Sequence, residues 1–269
     1  MELSAGKVQY NIGSKEFDAL NAYGDALTTS AIIKHPLKKT LRQQTYLTLG
    51  YEYKRLRDKN VSDDNKKQNR IWSLGLNGNL YDSFLGGGYN SYSITQSFGS
   101  IGGNLPDQDD LNTLGGYSKT QAYYYRNQRF NDRLSLHLEL LGQFSSRNLD
   151  SSEKLYISGP LGVRAYGQGE LGGDQGILSR NELRYLLNKP QSPTKVYLGG
   201  FYDFGAVKYN HDNPYGTNNS DTAKGAGIGL LITHNDNFSL RLDYAWKIGG
   251  PDTEDGSNGR FWTQMIYSY

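Results

Sequence analysis

Along much of this chain apolar and polar side chains alternate one by one, and in several places the alternation lasts ten residues or more. In residues 134–144, Leu134, Leu136, Leu138 and Leu140 share one face, while Ser135, His137, Glu139 and Gln143 share the other. In residues 238–247, Phe238, Leu240, Leu242, Tyr244 and Trp246 oppose Ser239, Arg241, Asp243 and Lys247. Residues 45–55 set Leu47, Leu49, Tyr51 and Tyr53 against Thr48, Gly50, Glu52 and Lys54, and residues 71–81 set Trp72, Leu74, Leu76 and Leu80 against Ser73, Asn77 and Asn79. Successive side chains of an extended backbone point to opposite faces, so the pattern predicts strands with one greasy and one wet side. Segments 196–207 and 224–234 add two strands whose second face is rich in glycine, and weaker alternation marks 4–13, 26–36, 86–99, 116–129, 177–187 and 260–269. The total is about twelve strands, with little helical periodicity.

The links between these segments alternate in length. HPLKKTLRQ, YDSFLG, QRFNDR, NKPQSPTK and HNDN are short; RDKNVSDDNKKQN, GSIGGNLPDQDDLNTLG, KYNHDNPYGTNNSDTA and GGPDTEDGSNG are long and polar. Soluble strands usually run about 5–6 residues. Strands of about ten, with short turns on one rim and long loops on the other, match what a tilted strand needs to cross a bilayer. The expected fold is therefore all-β, a transmembrane antiparallel β-barrel, with a soluble β-sandwich as the alternative.

Composition agrees. Only 36% of the residues are hydrophobic, yet there are 22 Tyr, 9 Phe, 3 Trp and 33 Gly, an aromatic load that disordered chains lack. A net charge of +2 gives no field of the kind that gathers nucleic acid, so no nucleic-acid partner is expected. The lack of cysteine excludes disulfides and thiolate metal sites and fits an exported protein. The first residues, MELSAGKVQYNIG, have neither the basic nor the apolar region of a signal peptide.

Chemical motifs are sparse. The stretch GPLGVRAYGQGELGGDQG contains G-x-G-x-x-G at Gly167, Gly169 and Gly172, but a dinucleotide site needs an apolar strand before it and a helix after it. Polar residues 145–156 precede it, and the following ILSRNELRYLL alternates as a strand, with Arg180, Glu182 and Arg184 on one face. His35, His137, His211 and His234 are scattered without metal-ligand spacing. No nucleophile motif is present, and DTEDGSNG misses the EF-hand spacing. No catalytic residue, metal or cofactor is expected, and the chain reads as a non-enzyme.

With the barrel in view, GPLGVRAYGQGELGGDQG followed by SRNELRYLL resembles the VRGY loop and next strand of the outer-membrane transporters of two-partner secretion. These are relatives of the filamentous-haemagglutinin and haemolysin secretion proteins within the Omp85 superfamily. KHPLKKTLRQQTYLTLGYEYKRLRD, NRIWSLGLNGNLYDSFLGGG, NLDSSEKLYISGP, GGFYDFGAV, FSLRLDYAWKIGG and RFWTQMIYSY agree with it in order. The resemblance implies the last twelve strands of a barrel of about sixteen, with the signal peptide, plug helix, POTRA domains and first strands outside residues 1–269. It implies residence in the outer membrane of a Gram-negative bacterium, and export of a secreted partner such as a β-helical adhesin, cytolysin or contact-dependent toxin. An outer-membrane assembly factor, a small-solute porin and an autotransporter translocator are rival functions on related barrels.

The resemblance also assigns residues. Residues 146–176 become a long extracellular loop that folds into the lumen, with Arg164 of VRAY at its tip paired to Asp203 of GGFYDFG on the wall. Val163 and Tyr166 keep the loop motif, and Phe201 and Gly205 keep the wall motif. Alternation puts Asp203 on the face of Gly199, Phe201 and Gly205, away from Val196, Leu198, Tyr202 and Phe204, and the small neighbours would let a loop come close. Ala165 stands where the motif commonly has glycine, leaving the tip backbone less free to take positive φ. The terminal aromatics Tyr267 and Tyr269 resemble the signal read by barrel-assembly machinery, which would place the C-terminus in the periplasm.

Overall fold

The computed structural model describes residues 1–11, 23–59, 64–104, 111–235 and 237–268. Its strands are β1 (Glu2–Asn11), β2 (Tyr23–Lys39), β3 (Gln43–Lys59), β4 (Asp64–Asp82), β5 (Gly88–Asn104), β6 (Gly115–Arg129), β7 (Leu134–Ser145), β8 (Leu155–Tyr156), β9 (Gly172–Gly173), β10 (Gln175–Leu186), β11 (Thr194–Lys208), β12 (Ser220–His234), β13 (Phe238–Gly249) and β14 (Gly259–Tyr267). All but β8 and β9 form one 12-stranded sheet, in chain order, with β1 and β14 at its edges. Every neighbouring pair is antiparallel. β8 and β9 pair with each other inside the β7–β10 connection.

The expected alternation sets both faces. On the outer face Trp72, Leu74, Phe98, Ile177, Leu198 and Ile228 are exposed. Register makes them a continuous band: Tyr51 lies across from Trp72, and Trp72 from Phe98. The Tyr51 and Trp72 rings are 4.8 Å apart. The inner face carries the polar set, including Lys54, Asn69, Lys119, Glu182, Asp203 and Asp243.

Several strands are longer than the expected ten residues: β2, β3 and β5 have 17 and β4 has 19. Much of RDKNVSDDNKKQN, read as a loop, is the paired top of β3 and β4. Ladder hydrogen bonds do not require an apolar face, so pairing continues beyond the greasy band. There Arg57 grips Asp64 through two bonds, Nε to Oδ1 at 2.7 Å and Nη2 to Oδ2 at 2.6 Å. β2 also runs past Pro36, where a register shift between Pro36 and Lys38 accommodates a residue with no N–H to offer. Positions 12 and 13 of the first expected strand lie outside the described residues.

The sheet is curled. Laid flat, β3 and β13 would be roughly 40 Å apart at the usual strand spacing. The β7–β10 loop nevertheless bonds Lys54 of β3 through Glu153 and Asp243 of β13 through Arg164. Between those residues it makes a reverse turn closed by Gly162 N–H to the Gly159 carbonyl at 3.0 Å, so it cannot stretch that far. The sheet therefore wraps around the loop, and the hydrophobic core lies between them: Leu155, Ile157, Val163, Ala165, Tyr166 and Leu171 of the loop against Leu178, Phe201, Val207, Ala223 and Ala245 of the wall.

Candidate functional site

The loop enters through a short 3-10 turn, Ser151–Glu153, capped by Asp150, whose Oδ1 accepts the Ser152 N–H at 3.1 Å. It descends through β8, turns at residues 159–162 and returns through β9. Val163 N–H donates to the Ile157 carbonyl at 2.7 Å, which folds the turn back and presents residues 163–166 to the wall. Gly159 takes φ +104, open to glycine at little cost. The G-x-G-x-x-G thus lies in a turn and a two-residue strand, with no helix beside it.

The tip arginine is enclosed. Arg164 is 1% exposed and Asp203 is 0% exposed. Arg164 Nε donates to Asp203 Oδ2 and Nη2 to Oδ1, both at 2.8 Å, and the Arg164 backbone N–H adds a third bond at 3.2 Å. Its Nη1 reaches Glu182 at 3.1 Å and Asp243 at 3.3 Å. The guanidinium carbon lies over the Phe201 ring, 3.3 Å from its centre, where a cation is attracted to the ring face. Only a planar fork both pairs with a carboxylate through two bonds and stacks in this way.

The surrounding charges balance. Glu182 also takes Arg184 Nε at 2.6 Å and bonds Arg241, whose Nε holds Asp243 at 2.7 Å. Arg164, Arg184 and Arg241 therefore face Asp203, Glu182 and Asp243. Burial pulls the Arg164 pKa down, but the bonds to Asp203 and the nearby carboxylates outweigh it and raise the value above the ordinary one. The guanidinium stays charged.

Inward glycines seat these groups. A Cβ at Gly225 would lie 2.9 Å from the Ala165 Cβ and 3.3 Å from Val163, and one at Gly205 would lie 2.6 Å from Ile157. Phe201 occupies the space over Gly227, and Asp243 that over Gly229. Ala165 does not take positive φ, so the tip backbone has no need of glycine there, and its methyl fills the gap above Gly225. Tyr166 shares its hydroxyl proton between the carbonyls of Gly249, at 2.9 Å, and Pro251, at 3.2 Å. Burial pushes its pKa up to about 12, which keeps it a donor. Trp262 of β14 donates Nε1–H to the Arg164 carbonyl at 2.7 Å.

A family model described as haemolysin secretion/activation protein ShlB/FhaC/HecB matches residues 2–232. The chain belongs to this family. Among relatives of the ShlB/FhaC/HecB chain, the heme/hemopexin transporter protein HuxB of Haemophilus influenzae is 23% identical over 279 residues, which is 99% of this chain and 48% of the relative. The chain spans about half the length of the curated relatives it matches. Among solved structures, CdiB from Escherichia coli superposes with TM-score 0.79 at 20% identity, over 98% of this chain and 49% of that one. CdiB from Acinetobacter baumannii gives 0.72 at 17% identity, over 99% and 47%. The fold is that of the matching half of these two structures.

Of the residues singled out from the family motif, the geometry brings together Val163, Arg164, Tyr166, Phe201, Asp203 and Gly205. Tyr267 is exposed on the outer face of β14, outside this cluster, and Tyr269 lies outside the described residues. His137 faces inward, its Nδ1 2.8 Å from the Tyr125 hydroxyl. Sequence reasoning placed Glu182, Arg184, Arg241 and Asp243 on polar faces without giving them partners, and it missed Trp262. The signal was available in part: charges of both signs on the inward positions of strands that flank Asp203.

Proposed function

We propose that the chain is the C-terminal part of an outer-membrane barrel of about sixteen strands whose pore exports a secreted partner protein in two-partner secretion. The observation that carries this reading is Arg164 of VRAY seated on Asp203 inside the curled sheet of a ShlB/FhaC/HecB chain. The family is one of secretion rather than catalysis. A loop fastened by directional charge pairs is held in one orientation more than it is stabilised, which suits a plug that must move. No nucleotide is required: folding of the partner outside the cell would draw it through.

The exposed aromatic and aliphatic band supports a lipid environment, since contiguous apolar surface of that extent is rare in water. The unpaired edges at β1 and β14 support further strands in the whole barrel. Tyr267 and Tyr269 form the end recognised by barrel-assembly machinery in this reading. The cargo class is a large β-helical exoprotein such as an adhesin, cytolysin or contact-dependent toxin, and the name of the Haemophilus relatives adds a haem-linked partner to those worth testing. The test is secretion by the intact transporter carrying Arg164→Ala or Asp203→Ala. Lower secretion with normal membrane insertion is expected; unchanged secretion in both variants would overturn the proposal.

A further inference from the structure

The Arg164 cluster is not the loop's only buried attachment. At the loop's stem the polarity is reversed: acids on the loop meet cations on the wall. Glu153, 2% exposed, accepts Lys54 Nζ at 2.8 Å and Asn69 Nδ2 at 2.9 Å on Oε1, and Lys119 Nζ at 2.7 Å on Oε2. Asp150 Oδ2 accepts Lys67 Nζ at 2.7 Å. The Glu153 carbonyl takes Gln143 Nε2 at 3.1 Å and Lys119 Nζ at 3.3 Å. Asn69 also donates to the Tyr117 hydroxyl at 2.9 Å, so the wall side of the contact is itself braced.

These partners come from β3, β4, β6 and β7. The tip's partners come from β10, β11, β13 and β14. The loop therefore bridges the trough, fastened to one half of the sheet by Asp150 and Glu153 and to the other half by Arg164, with Glu170 adding a bond to Arg260 of β14. Docked the other way round, Arg164 would face Lys54, Lys67 and Lys119, and Asp203 would be left without its guanidinium partner. Like charges placed together cost several kcal/mol, so the arrangement of charge favours the docked orientation seen.

We propose that Glu153, supported by Asp150, is a positioning residue for the loop: it fixes the stem on the β3–β6 wall so that the tip meets Asp203, and it is a second anchor independent of Arg164. Its relevance to export rests on the transport reading above. The two carboxyls behave accordingly. Burial raises their pKa values, yet Lys119 and Lys54 at Glu153, and Lys67 at Asp150, lower them further, so both lie below the ordinary value.

The test uses Ser158→Cys in the intact transporter as a reporter of docking. Ser158 is 7% exposed, residues 1–269 contain no cysteine, and any cysteine elsewhere in the transporter is first replaced by serine. The rate of labelling by a membrane-impermeant maleimide then reads release of the loop. Glu153→Gln is expected to speed labelling at least about tenfold, since bonds to charged groups are lost, with the heat-modifiable folded band retained. The Lys54→Gln/Lys119→Gln variant, which changes only the wall, is expected to do the same, and Glu153→Asp to fall between. Labelling at the parent rate in both folded variants overturns the proposal. So does loss of the folded band in both, because a positioning role predicts a barrel that folds with its loop free. Secretion is scored separately: faster labelling with unchanged export leaves the anchor standing and contradicts the transport reading instead.

Discussion

Replacing Asp203 by Asn tests the tip contact with the least change in shape. Asn keeps one acceptor but turns the other position into a donor that faces the Arg164 guanidinium. Glu182 and Asp243 still flank Nη1, so the loss is one charge-assisted bond and part of the attraction, about 2–3 kcal/mol. Arg164→Ala is more severe. Every side-chain bond of Arg164 disappears, and Asp203, fully buried, loses its bidentate partner, which costs about 3–5 kcal/mol. At about 1.4 kcal/mol per tenfold, the ratio of docked to free loop falls roughly 30- to 150-fold for Asp203→Asn. For Arg164→Ala it falls from roughly 150-fold to a few thousand-fold. The double variant is expected to cost no more than Arg164→Ala alone, because position 203 then carries no charge to be stranded, and Glu182 and Asp243 keep Arg184 and Arg241. The assay is maleimide labelling at Ser158→Cys in folded barrels. Additive costs in the double variant, or a larger effect of Asp203→Asn than of Arg164→Ala, would refute the reasoning.

Other outcomes follow from the same geometry. Gly225→Val puts branched carbons where Ala165 and Val163 already sit; the barrel is expected to insert, with the loop undocked and labelling as fast as in Arg164→Ala. Leu74→Arg, on the exposed outer band, should lower folding stability in lipid by about 2–4 kcal/mol if its site lies near the bilayer midplane, read by urea titration of the heat-modifiable band. Acid release should be confined to low pH. Glu153 has a docked pKa below its ordinary 4.5, so its contribution is complete above that value and is lost as pH falls through the lower docked one. Measured relative to a free thiol at the same pH, because only the thiolate reacts, labelling should therefore be flat from about pH 5 to 7 and rise below about pH 4, with Lys54, Lys119 and Asn69 bonded to the group that titrates.

Alternation revealed the strands, and which face each residue takes, because a period of two is a local property. Leu134 to Leu140 and Phe238 to Trp246 could be sided from the sequence alone. Strand ends were less legible. Above the band both faces of β3 and β4 are polar, so nothing in residues 57–69 distinguishes a paired strand from a loop. Arg164 and Asp203 were found through the family motif. Alternation alone put Asp203 on the glycine-rich face without a partner. Glu153, Lys54 and Lys119 stayed hidden for a different reason. Lys54 and Glu153 are 99 residues apart, and only the curl of the sheet brings β3 under the loop. A pattern along one strand says which way a side chain points but not what stands opposite it across the lumen.

In the proposed pore the loop must leave its seat for cargo to pass. A Cβ at Gly225 would lie 2.9 Å from that of Ala165, close enough for a disulfide after small adjustment. In the intact transporter, Ala165→Cys/Gly225→Cys is expected to insert normally, hold its partner protein in the periplasm when oxidised, and export it again on reduction. Equal export by the oxidised and reduced forms would contradict the account.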